Sequence, residues 1–158
     1  MNSVMKVKIF LLSGLFCFQL NACIQENNIQ PDNNQNEMEN SEIMEIQILI
    51  GPSSFSAELK INATAQAFID RLPLTLTMID LNNNEKYFDL TEGLPANASN
   101  PGTIRNGDLM LYGSNTLVLF YKSFATSYNY TRIGRINDPE GLAHALGSGE
   151  VAVTFKTK

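Results

Sequence analysis

The segment Gly107–Phe124 constrains the fold of this 158-residue chain more than any other part of it. Two apolar runs of strand length flank Gly113-Ser114-Asn115, which is a turn signal, so the segment predicts a β-hairpin. Both strands are apolar on both faces, and other parts of the protein must therefore cover each face. In an antiparallel protein, this double cover predicts a central position in a barrel or a sandwich.

The N-terminal residues predict export and lipid attachment. Two lysines precede Ile9–Phe18, an apolar run of about ten residues, which is too short for a membrane-spanning helix and typical of a secretion signal. The following Leu20-Asn21-Ala22-Cys23 resembles the cleavage box of bacterial lipoproteins, although Asn21 departs from the usual small or aliphatic residue. We therefore expect residues 1–22 to be a signal peptide and Cys23 to carry lipid. An ordinary secretory signal or an uncleaved anchor is the alternative.

Residues 23–42 are predicted to be the acylated cysteine and a disordered tether. They are rich in Asn, Gln and Glu and carry too few apolar side chains to order themselves. As a random coil, this segment would span roughly 24 Å. The lipid anchor makes a membrane the expected partner and the bacterial cell envelope the expected location. Ile24 stands where an aspartate would favour retention in the inner membrane, so the outer membrane or the cell surface is favoured.

Charge and cysteine content narrow the function classes. The chain has 11 basic and 16 acidic residues and no basic stripe, so a nucleic-acid partner is not expected. Cys17 lies in the predicted signal and Cys23 would be acylated, so no disulfide is expected. His144 is the one histidine, and we expect it to be exposed on a helix, with no metal site and no cofactor.

The order of elements over residues 43–158 predicts a mainly β domain. The alternating runs Ile43–Ile50 and Phe55–Ile61 predict a hairpin around Gly51-Pro52-Ser53-Ser54. Helical spacing predicts a helix over Asn62–Leu72, with Asn62 or Thr64 as its N-cap. The remaining predicted elements are a strand over Leu74–Ile79, an Asn-rich turn over Asp80–Asn84, strands over Lys86–Leu90, Tyr130–Ile136 and Val151–Lys156, the long loop Thr91–Asn106, and a helix that Asp138 caps and Pro139 begins.

These elements amount to eight strands and two short helices, which favours a closed antiparallel barrel capped at its ends. Their order resembles the cyclophilin fold, most closely in Ile133-Gly134-Arg135-Ile136, the helix Pro139–Leu146 and the closing strand Glu150–Lys156. Gly107-x-Leu109-x-Leu111 also looks like the start of the central cyclophilin hairpin. Over Ile43–Lys158 the chain resembles the bacterial cyclophilin-like family. That family consists of small barrel domains of unassigned function, often found as lipoproteins or fused to flavodoxins.

The resemblance does not extend to the residues of prolyl isomerase catalysis. Cyclophilins carry Phe-x-Arg on one strand, followed by Phe-Met-x-Gln-Gly-Gly. Here the corresponding segment, Lys86–Leu90, has no arginine and carries Asp89 instead. The hairpin Gln and Phe correspond to Leu117 and Leu119, and the cyclophilin histidine to Tyr130. We therefore assign no catalytic residue and do not expect an enzyme.

Aromatic residues of the C-terminal half carry the candidate site. They are Tyr112, Tyr121, Phe124, Tyr128 and Tyr130, with Arg132 and Arg135 nearby. They could be core and barrel rim, or they could line a groove at the barrel face that cyclophilins use, with the loop carrying Arg105 as one wall. The predicted ligand-binding residues are Arg105, Tyr112, Leu117, Leu119, Tyr128 and Tyr130.

Two functions from different classes follow. The first is a membrane-tethered binding module for a peptide, a protein or a small molecule, without catalysis. The alternative is a peptidyl-prolyl cis-trans isomerase, or another enzyme that uses the groove. A structural role stays open, and the oligomeric state is not readable from the sequence.

Overall fold

The computed structural model describes residues 44–158. The predicted signal peptide, the lipidation of Cys23 and the whole of the predicted tether lie outside the described residues. Ten strands and two helices form the described part of the chain. In chain order they are β1 (Glu45–Ile50), β2 (Ser53–Leu59), α1 (Ala63–Ile69), β3 (Leu74–Leu81), β4 (Glu85–Asp89), β5 (Thr103–Ile104), β6 (Asp108–Tyr112), β7 (Thr116–Phe120), β8 (Phe124–Ala125), β9 (Thr131–Ile136), α2 (Leu142–Leu146) and β10 (Val151–Thr157). Within residues 44–158, neither helix is long and apolar enough to cross a bilayer.

Eight of the strands close into an antiparallel barrel. The order around it is β1-β10-β3-β4-β7-β6-β9-β2, and every neighbouring pair is antiparallel. The two-residue strands β5 and β8 pair with each other outside the barrel. The prediction of a mainly β, closed eight-stranded antiparallel barrel with two short helices is therefore confirmed.

Local sequence explains the first hairpin and the first helix. Gly51 adopts a positive φ of 54° in the tight turn between β1 and β2, a conformation that glycine tolerates without a steric cost. Asn62 caps α1, because its side-chain oxygen accepts a hydrogen bond from the Ala65 N–H at 2.8 Å. The helix then buries Phe68, whose ring meets the Phe155 ring edge-on with centroids 5.4 Å apart.

Several element boundaries differ from the sequence prediction by one to four residues, those of α2 and β3 among them. Helix α2 begins at Leu142 and not at Pro139, because Gly141 precedes it in a left-handed conformation with φ of 76°. The Asp138 carboxylate accepts a hydrogen bond from the Glu140 N–H in a turn before the helix, so Asp138 is not its N-cap. Strand β3 also continues through Leu81, two residues into the predicted turn.

The core has two layers, one on each face of the β6–β7 hairpin. Inside the barrel, the inner cluster includes Leu109, Leu111, Leu117 and Leu119. On the outside, the outer cluster is Ile104, Met110, Val118, Phe120 and Tyr130. Residues 99–106 and 124–130 cover the outer face of the hairpin. The β5–β8 pair and a bridge between Ser99 and Tyr130 connect these two segments to each other. The predicted double cover of this hairpin is confirmed.

A buried charge network ties β3 and β4 to the turn before β10. Lys86 has no exposed surface, and its Nζ donates to Asp80 Oδ2 at 2.7 Å and to the carbonyl oxygens of Gly147 and Gly149 at 2.9 and 2.8 Å. The Tyr121 hydroxyl donates to the same Asp80 oxygen at 2.7 Å. The hydrogen bond from Lys86 lowers the pKa of Asp80, while burial and the Asp80 carboxylate raise the pKa of Tyr121 to about 12.

Candidate ligand-binding cleft

The described chain carries a cleft on the outside of the barrel. Its floor is the outer face of β4, β7 and β6, and its walls are the β3–β4 turn and the segment 124–130. Its volume is about 550 Å³, which lies within the range of small-molecule sites. The cleft therefore has the size of a site for a small ligand or for a few side chains of a larger one.

Strand pairing determines which residues face the cleft. Across β4 and β7, Lys86 pairs with Leu119, which points into the barrel. Successive side chains of a strand point to opposite faces, so Glu85, Tyr87 and Asp89 share the outer face of β4. This alternation puts two carboxylates and a tyrosine on the floor of the cleft.

Four of the five tyrosines of the chain line this cleft: Tyr87, Tyr112, Tyr128 and Tyr130. The Tyr112 ring centroid lies 6.2 Å from that of Tyr128 and 5.6 Å from that of Tyr130. Tyr112 and Tyr128 are 47% and 62% exposed, so their rings are open to a ligand, whereas Tyr130 is mostly buried. Burial and the nearby Glu85 carboxylate raise the pKa of Tyr130 from its ordinary value of 10 to about 12.

The two carboxylates of the cleft differ in their surroundings. Asp89 is exposed, and its Oδ1 accepts a hydrogen bond from the Thr116 hydroxyl at 2.6 Å. Glu85 is only 9% exposed, and no hydrogen bond or ion pair from the described residues reaches its carboxylate. Burial, together with the negative charge of Asp80, raises the pKa of Glu85.

Comparison with known proteins identifies the fold family. A sequence model of the cyclophilin-like family matches residues 48–156, which is more than half of the chain. The chain belongs to the cyclophilin-like family. Its cyclophilin-like barrel is also similar to the solution structure of a hypothetical protein from Archaeoglobus fulgidus, at 17% identity and a TM-score of 0.49, over 73% of this chain and 95% of that one. No curated protein matches the sequence.

The cyclophilin-like barrel brings three of the six predicted ligand-binding residues together. Tyr112, Tyr128 and Tyr130 all line the cleft. Leu117 and Leu119 have no exposed surface and belong to the inner cluster, so they lie inside the barrel. The roles of these residues in binding stay predictions.

Arg105 and the loop around it lie outside the cleft. Arg105 is exposed, and none of residues 91–106 lines the cleft, so this loop does not form one of its walls. A binding role of Arg105 stays a prediction. Arg132 and Arg135 flank Asp108, with nitrogen-to-oxygen distances of 3.9 and 3.6 Å, and do not line the cleft either.

Glu85, Tyr87 and Asp89 of β4 are among the cleft residues that the sequence interpretation did not name as binding residues. The sequence prediction has a turn over Asp80–Asn84 and a strand that begins at Lys86, so Glu85 was assigned to neither element. The sequence does contain a signal for them, since Glu85, Tyr87 and Asp89 stand at every second position of this segment. On a cyclophilin-like barrel, that period of two puts all three on one face.

No histidine lines this cleft, and the described residues form no metal-binding group there. His144 is exposed on α2, as expected, and does not line the cleft. Over residues 44–158, no group of three or more His, Cys, Asp or Glu is placed to hold a metal ion. The expectation of no cofactor remains a prediction.

Proposed function

We propose that this member of the cyclophilin-like family is a membrane-tethered binding module that holds its ligand in the outer cleft. The observation that carries the proposal is a cleft of about 550 Å³ lined by four tyrosines. Tyrosine rings offer a large contact area with few rotatable bonds, and a cleft of this volume can enclose a drug-sized molecule or several side chains. The barrel beneath is filled by its own core, which gives the tyrosines a rigid support.

Binding without catalysis is favoured over prolyl isomerisation. The cyclophilin resemblance implies an arginine that hydrogen-bonds the prolyl amide and favours its twisted state. Of the described residues that line the cleft, none is Arg, Lys or His, and the floor carries Glu85 and Asp89 instead. A protease-coupled assay on Ala-Pro-Phe peptides tests the alternative. Catalysis above background that Tyr130→Ala abolishes would replace binding by isomerisation.

A fragment screen tests whether the cleft is a binding site. The full chain, ¹⁵N-labelled and held in a non-ionic detergent, is titrated with a library of neutral and charged fragments. We expect at least one fragment to shift the backbone amides of Tyr112, Thr116 and Tyr128 and to lose its effect in Tyr112→Ala. As a control, Ile61→Ala removes an apolar side chain that is 75% exposed and lies away from the cleft. Shifts confined to other surfaces, or no shifts at all, would refute the proposal.

The tether is supported by the sequence of residues 1–23. A basic start, an apolar run and Leu20-Asn21-Ala22-Cys23 are the parts that bacterial lipid attachment uses. More than one acyl chain would make the membrane association stable. A location at the outer membrane or the cell surface is part of the proposal.

A further inference from the structure

The surroundings of Glu85 differ from those of Asp80, which is partly buried, and of Asp108, which is buried. Asp80 accepts hydrogen bonds from Lys86 and Tyr121. Asp108, which is 2% exposed, accepts from the Arg105 N–H at 2.8 Å and has two arginines within 4 Å. Glu85 is almost as buried, and among residues 44–158 it has neither a donor nor a cation.

The Glu85 side chain is mostly buried, and its carboxylate oxygens keep some contact with solvent, since they are not among the fully enclosed oxygens without a partner. A carboxylate that loses part of its hydration and gains no partner in return is in an unfavourable position. Glu85 nevertheless borders a cleft, so a molecule bound there could supply the missing partner. A cation is the partner that a carboxylate favours most in a poorly hydrated site. Asp89, on the same face of the strand, adds a second negative charge.

The aromatic walls favour the same class of ligand. A cation within about 6 Å of a tyrosine ring centroid is attracted by the negative face of the ring, and cages of several rings bind quaternary ammonium groups. Tyr112 stands between Tyr128 and Tyr130, with centroids 6.2 and 5.6 Å away. A group held among these rings would touch several of them at once.

We propose that the cleft binds an organic cation, with Glu85 as its counter-ion and the tyrosine rings as its walls. The cation is an alkylammonium or guanidinium group, carried by a free small molecule or by a Lys or Arg side chain of a peptide. This inference rests on the proposed function, because it assigns a ligand class to the same cleft.

Matched pairs of probes test the charge directly. Calorimetric titration of the full chain in a non-ionic detergent compares choline with 3,3-dimethylbutanol, which has the same shape and no charge. A second pair compares the peptide acetyl-Gly-Lys-Gly-amide with its Nε-acetyl form. We expect the cation of at least one pair to bind at least tenfold more tightly than its neutral partner. The choline pair responds if the source is a small molecule, and the peptide pair if it is a side chain.

Two variants of equal charge test the role of Glu85. Glu85→Gln removes the buried carboxylate and should weaken binding of the cation at least tenfold, with little effect on the neutral probe. Glu140→Gln makes the same change in net charge on an exposed turn and should leave the affinity unchanged. Amide shifts of Tyr112 and Tyr128 during the same titration report whether each probe enters the cleft.

The outcomes separate this inference from the proposed function. Equal affinity of a cation and its neutral partner, with shifts in the cleft, would overturn the cation inference and leave the cleft a binding site. No binding of either cation would also overturn it, while the neutral members of the fragment screen decide on the cleft itself. The probe comparison needs no variant, so it decides the question even if Glu85→Gln fails to fold.

Discussion

Replacement of the buried lysine by methionine, Lys86→Met, should destabilise the barrel strongly. The methionine fills most of the same space and removes all three hydrogen bonds of Nζ, which leaves Asp80 without its cation and the carbonyl groups of Gly147 and Gly149 without their donor. Loss of one partner of a buried ion pair typically costs about 3–5 kcal/mol. The Asp80 side chain is 15% exposed and keeps the Tyr121 hydroxyl, so we expect about 3 kcal/mol, at the low end of that range.

Urea denaturation followed by circular dichroism measures this loss as a lower midpoint at an unchanged slope. Lys60→Met makes the same chemical change at an exposed position and should alter the free energy of unfolding by no more than about 0.5 kcal/mol. If Lys86→Met cost less than about 1 kcal/mol, or no more than Lys60→Met, the network would not stabilise the fold as argued.

The free energy of unfolding at acidic pH gives a second measurement of the Lys86–Asp80 pair. The pKa of Asp80 is lowered in the folded state, chiefly by the hydrogen bond from Lys86, from an ordinary value of 3.8. Stabilisation from a lowered pKa is complete above the unfolded value and disappears as the pH falls through the folded one. The difference in unfolding free energy between the wild type and Lys86→Met should therefore narrow below about pH 4.

Three further predictions concern other parts of the chain. Glu85→Gln should stabilise the ligand-free protein by about 0.5–2 kcal/mol at pH 7. The pKa of Glu85 is raised above its ordinary value of 4.5 in the fold, so thermal unfolding should show this gain shrinking as the pH falls toward 4.5 and absent below it. Gly134→Ala should lower the free energy of unfolding by about 1–3 kcal/mol, measured by urea denaturation, because the new Cβ would lie 2.5 Å from the Glu58 carbonyl oxygen. An unchanged urea midpoint would contradict this close approach. In a bacterial host, Cys23→Ser should abolish labelling by an alkyne fatty acid and release the protein from the membrane fraction, whereas Cys17→Ser should not; a membrane-bound, labelled Cys23→Ser protein would refute the tether.

The sequence predicted the elements where a local signal and the tertiary position agree. Asn62 caps α1 as expected, and alternation located β1, β2 and β10 to within two residues at most ends. The start of α2 was predicted wrongly, because Asp138 and Pro139 form a strong start signal on their own. Gly141 then adopts a left-handed conformation, which a right-handed helix does not continue through, and the signal at Asp138 and Pro139 does not reveal it.

Which residues of the β6–β7 hairpin face the cleft could not be predicted from the sequence, for a specific reason. When one face of a strand is polar, alternation shows which residues point inward. The β6–β7 hairpin is apolar on both faces, so the pattern alone could not distinguish Leu117 and Leu119 from Val118. The structure resolves the choice by closing the barrel around the two leucines and leaving Val118 on the floor of the cleft.

The separation of the two clusters bears on how such a protein can diversify. The packing that holds the barrel together lies inside it, whereas the residues that a ligand would meet stand on its outer surface and in the segment 124–130. On the proposed function, substitutions at Tyr128, Thr126 or Asp89 should therefore alter ligand preference at little cost to the stability of the barrel. One scaffold could in this way serve unrelated ligands in different hosts, and a redesign of the cleft could begin from the outer wall alone.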